Sequence, residues 1–110
     1  MPNTNPKTEK QIQEMQILEQ NLQNILMQKQ AFQMEITETQ SALEEIQNSG
    51  DEVYKIIGSL MIKSEKSKIK EELVNKEKLL DIRLKSLDKQ EENFSEKLEE
   101  LREEIMKSFK

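Results

Sequence analysis

The first half of the chain spaces its apolar side chains alternately three and four residues apart. Met15, Leu22, Ile36 and Leu43 share one position of a seven-residue repeat, with Lys29 in the same register. Leu18, Ile25, Phe32 and Ile46 share a second, with Thr39 among them. With the first set at a and the second at d, this is a coiled-coil pattern, because the spacing keeps one seam turned toward a partner helix. Thr8 followed by Gln11 matches a capping box, which predicts a helix over 9–48. Residues 1–8 are polar and hold both prolines, so a disordered N-terminal tail is expected there. The helix is expected to stop at Asn48-Ser49-Gly50, with Gly50 in the left-handed C′ conformation.

A second seam follows. Leu73, Leu80, Leu87, Phe94 and Leu101 fall at d, and Ser108 closes the register. Glu77, Leu84, Glu91, Leu98 and Ile105 fall at a, which predicts a helix over 66–109. Helices of this length run about 60 Å. A short connection forces them antiparallel. Counting back from it sets Ile46 near Ile69, and Met15 near Glu100 and Leu101, so both ends of the chain share one tip.

The connection, residues 52–64, breaks the repeat. Two short apolar runs flank Gly58-Ser59, the pattern of a β-hairpin with a primed two-residue turn. That turn pairs Ile57 with Leu60, Ile56 with Met61, Lys55 with Ile62 and Tyr54 with Lys63. One face then carries Val53, Ile57, Leu60 and Ile62, and the other Tyr54, Ile56 and Met61. The alternative is a continuous helix through 53–63, which mid-run Gly58 and the β-branched cluster oppose.

A lone two-stranded hairpin is marginal in water, and its unpaired edges are templates for another strand. Edge-to-edge closure of several hairpins into a barrel resolves both problems. Burying these side chains is worth on the order of 10 kcal/mol gross per chain, so a weak or absent monomer is expected. The oligomerisation residues so assigned are Val53, Tyr54, Ile56 and Ile57 in the first strand, Gly58 at the turn, and Leu60, Met61 and Ile62 in the second. The fold class is therefore mostly α: a long antiparallel coiled-coil hairpin whose one short β-hairpin joins a β-barrel platform in the oligomer. Lys55 and Lys63 are expected to discourage wrong edge pairing.

Composition narrows the function. Only 34% of residues are hydrophobic, 35% are charged and 4% aromatic, too few apolar groups for a large central core. There is no Cys and no His, which removes the thiolate nucleophile, the commonest general base and the usual metal ligands. Adjacent glutamates such as Glu91-Glu92 and Glu103-Glu104 do not face each other on a helix, so they read as a solvated face. No glycine-rich phosphate loop is present. No enzyme activity, cofactor or metal is expected. With 17 Lys and Arg against 22 Asp and Glu the net charge is −5, unsuited to nucleic acid or an anionic membrane. No run is long enough to cross a bilayer and the first residues lack an apolar signal segment, so a cytoplasmic location is the expectation.

The residues then point to a family. Gln28-Lys29-Gln30 in the first helix, Val53-Tyr54-Lys55 and Gly58-Ser59-Leu60-Met61-Ile62-Lys63 through the hairpin, and Arg83-Leu84-Lys85-Ser86-Leu87-Asp88-Lys89-Gln90-Glu91-Glu92 in the second helix resemble the β-type subunit of prefoldin, in its archaeal form. Nearly the whole chain is covered, and the single hairpin between two equal helices is the most discriminating part. The resemblance implies a hexamer of two α-type and four β-type chains, in which the hairpins form the platform and the coiled coils hang from it around a cavity. It implies an ATP-independent holdase that takes non-native proteins at the coiled-coil tips and passes them to a group II chaperonin.

The tip residues support that reading from geometry. Ile12, Met15, Ile17, Leu18, Leu101, Ile105, Met106 and Phe109 are more apolar groups than one seam can bury, and are the client-binding candidates. Met15, Leu18, Leu101 and Ile105 are also seam positions, so core packing is their competing role. Ile12, Ile17, Met106 and Phe109 lie off the seam, where exposure and client contact are expected. Lys29, Glu77 and Glu91, polar groups at a, are expected to fix register. The competing function is a coiled-coil scaffold or tether without chaperone activity, for which a polar turn would serve better than an apolar hairpin.

Overall fold

The computed structural model describes residues 5–109. Its elements are α1 (Pro6–Asn48), β1 (Val53–Ile57), β2 (Leu60–Ser64) and α2 (Lys66–Ser108). The chain forms two compact units. Residues 5–30 and 85–109 make the terminal unit, and Ala31–Leu84 makes the hairpin unit.

Helix α1 starts three residues before the expected Glu9. Asn5 Oδ1 accepts the Thr8 backbone N–H at 2.8 Å, and the Asn5 carbonyl accepts that of Glu9 at 3.1 Å. Asn5 is therefore the N-cap, and Pro6 follows where its missing N–H costs nothing and its fixed φ suits the helix. Residues 6–8 of the expected tail are helical, and 1–4 lie outside the described residues. Thr8 is not the cap but a first-turn side chain only 3% exposed, one heptad before Met15.

The other end of α1 also departs from expectation. Among the described residues only Gly58 has a positive φ, so Gly50 is not a left-handed C′ residue. The last carbonyls find other donors. Ser49 Oγ donates to the Ile46 carbonyl at 2.8 Å, and Lys66 Nζ donates to the Ser49 carbonyl at 2.8 Å. A cation from the start of α2 thus caps the negative end of α1.

The strands pair antiparallel in the expected register, from Ile57↔Leu60 to Tyr54↔Lys63, with Val53↔Ser64 closing the ladder. Gly58 has φ 60° while Ser59 does not enter the left-handed region, the pattern of a type II′ turn. A continuous helix through 53–63 is excluded.

Each unit is held by a seam rather than a core. In the hairpin unit Ile46 and Leu80 are buried, flanked by half-buried Phe32, Ile36, Leu43, Leu73 and Leu84. Thr39, at d, is 3% exposed, and its hydroxyl donates to the Glu35 carbonyl at 2.7 Å, so the buried polar group is satisfied. In the terminal unit Ile25, Leu87, Leu98 and Ile105 are buried.

Candidate functional site

The hairpin exposes apolar groups on both faces. Val53 and Ser64, at its base, are half-buried, but the rest of the ladder is open. The cross-strand pair Ile56 and Met61 is 70% and 68% exposed, and the opposite-face pair Ile57 and Leu60 is 53% and 64% exposed. Tyr54 and Ile62 are exposed as well. Lys55 places Nζ 3.0 Å from Glu72 Oε2 and ties β1 to α2. Beneath the strands an open groove of about 770 Å³ is lined by Ile46, Val53, Tyr54, Ile69 and Leu73.

The terminal unit brings the two ends of the described chain together. Gln11 Nε2 donates to Glu104 Oε2 at 2.8 Å, as the antiparallel count requires. Ile17, Met106 and Phe109 are exposed, as expected of off-seam positions. Ile12 is half-buried instead. Met15, Leu18 and Leu101 are half-buried seam residues with accessible edges, and Ile105 is fully within the seam. Leu18, Leu101 and Ile17 form the floor of an open groove of about 360 Å³, rimmed by Glu14, Glu100, Glu104 and Lys97. On the other flank Arg102 lies within 4.0 Å of Glu19 and 3.5 Å of Glu99.

Two of the polar seam residues prove to be partners. Lys29 Nζ sits 2.8 Å from Asp88 Oδ1 and 2.5 Å from Glu91 Oε2. Hydrogen bonds that the ammonium donates to Asp88, and then to Glu91, hold it above the ordinary lysine value of 10.5. Sequence reasoning treated Lys29 and Glu91 as separate interruptions. The signal was present, since the antiparallel count puts Lys29 opposite Ser86, less than a turn from Asp88.

Among the described residues no group of three or more acidic side chains could hold a metal ion, and no helix is long and apolar enough to cross a membrane. These observations define the class of the protein, an α-helical coiled-coil hairpin that carries an open, apolar β-hairpin at its bend. The sequence profile of prefoldin subunits matches residues 9–110, and the chain belongs to the prefoldin subunit family. It is 38% identical to prefoldin subunit beta of Thermococcus onnurineus, covering 100% of this chain and 97% of that one. It is 39% identical to prefoldin subunit beta of Thermococcus gammatolerans, over 100% of this chain and 96% of the relative. The crystal structure of the prefoldin beta subunit from Thermococcus strain KS-1 superposes with a TM-score of 0.91 at 37% identity, covering 100% of this chain and 98% of that one. The family is one of chaperone subunits, not enzymes.

Proposed function

We propose that the chain is one subunit of an ATP-independent holdase that binds non-native proteins through its terminal unit and passes them to a group II chaperonin. The observation that carries the reading is the open hairpin, with Ile56, Ile57, Leu60 and Met61 each more than half exposed. Two strands in that state lack independent stability, which supports assembly through their edges. The assembly is a cytoplasmic hetero-oligomer of two α-type and four β-type chains. With the hairpin engaged, the apolar groups of the terminal unit are left for clients. Ile17, Met106 and Phe109 make outward contacts, Ile12, Met15, Leu18 and Leu101 offer partly covered surface, and Ile105 backs them from the seam.

Native mass and aggregation suppression test the two halves separately. Ile57→Asp with Leu60→Asp should reduce the native mass of the assembly. Deleting residues 1–12 and 104–110 should leave that mass intact while aggregation suppression falls. An unchanged mass in the first variant overturns assembly through the hairpin. Full protection by the truncated assembly overturns client binding by the terminal unit.

A further inference from the structure

The apolar surface of the terminal unit is divided between two flanks. In an antiparallel pair, residues at e meet e and residues at g meet g. Glu19 and Arg102 are both e residues and lie within 4.0 Å of each other, which fixes the e flank. Ile12 and Phe109 also fall at e, so they share that flank with the arginine. Ile17, at c, belongs to the other flank, where it lies in the groove with Leu18 and Leu101.

The rim of that groove carries Glu14, Glu100 and Glu104 against Lys97 alone, so it is formally acidic. Lys97 Nζ lies 6.0 Å from the Phe94 ring centroid, back along α2. Glu104 is positioned by the amide of Gln11. Past Glu104 the flank continues to Lys7 and Lys107, so the acidic rim is confined to the groove itself. Ile17, 59% exposed, presents its side chain beside these carboxylates.

We infer that this groove selects extended apolar segments flanked by Lys or Arg within a non-native chain. An apolar side chain of the segment covers Ile17 and the edges of Leu18 and Leu101, and a neighbouring cation meets Glu14, Glu100 or Glu104. The same apolar segment flanked by Glu meets like charge at the rim. The inference rests on client binding by the terminal unit and adds a charge preference to it. Charges at a rim act mainly on selectivity and on salt dependence, while the apolar floor supplies the common affinity.

The test is fluorescence anisotropy with the assembled protein and three labelled peptides that share one apolar core and carry Lys, Ser or Glu flanks. The Lys-flanked peptide should bind about tenfold tighter than the Glu-flanked one at low salt, with the gap closing as salt rises. The triple variant Glu14→Gln, Glu100→Gln, Glu104→Gln should abolish the gap and leave the Ser-flanked peptide unaffected. Ile17→Ser should weaken all three peptides. Equal binding of the three peptides to the parent, or a gap that survives the triple variant, overturns the charge preference. If Ile17→Ser together with Met106→Ser and Phe109→Ser changes none of the affinities, client binding by the terminal unit fails instead. Circular dichroism and native mass of each variant establish that the fold and assembly are retained.

Discussion

At the scale of single residues, the two glycines have opposite tolerances. Gly58 holds φ 60° at the turn, a conformation that costs an L side chain about 1–2 kcal/mol. Gly58→Ala should destabilise by that amount in urea unfolding. Gly50 has no positive φ and no atom within 4 Å of an added Cβ, so Gly50→Ala should stabilise by about 0.5 kcal/mol through the unfolded chain. Lys29 makes a third prediction. Its folded-state pKa is raised, so its contribution is fully present below the ordinary value of 10.5 and is lost as pH rises through the higher folded value. The melting temperature of the parent relative to Lys29→Met should fall across that alkaline window. Replacing Lys29 and Glu91 together by Leu should raise melting, because the seam becomes apolar throughout and no charge is stranded there. Lys29→Leu alone should gain less, since Glu91 then lies at the seam without its ammonium.

At the scale of elements, the heptads were legible because a seam needs only periodicity, and every seam position from Met15 to Ile105 is buried or half-buried. The hairpin register was legible because a two-residue turn allows one pairing once the strands are set. The helix ends were not, and each for a local reason. Thr8-x-x-Gln11 matches a capping box, but Asn5 ahead of Pro6 offers an earlier N-cap, and the helix takes it. Gly50 matches a C′ glycine, but the carbonyls it would have served are met by Ser49 and by Lys66, a residue distant in sequence. Of the tip candidates, heptad position alone marked Ile17 and Met106 as outward, while only coordinates separated half-buried Ile12 from them. Asn5→Ala should cost about 1 kcal/mol and Asn5→Ser much less, read as faster amide hydrogen exchange in the first turn of α1.

At the scale of the whole molecule, the proposed assembly couples stability to subunit concentration. The described chain buries only a seam in each unit and leaves its strongest β-forming segment open, and the proposed assembly would supply the missing stabilisation. Melting temperature should therefore rise with protein concentration, and Ile57→Asp with Leu60→Asp should remove that dependence. The clasp between Lys66 and the Ser49 carbonyl has a consequence of a different kind. It joins the two helices directly below the strands, while Lys55 ties β1 back to Glu72 of α2. Exchanging residues 51–65 would leave that clasp in place and would have to restore the tie from Lys55 to Glu72. A family of such chains can trade one hairpin for two, or for a hairpin with different edge chemistry, and so choose new neighbours without redesigning the helices beneath. An exchange of that kind would let an engineer carry the proposed client-binding unit onto another assembly, provided the new segment keeps the tie to Glu72.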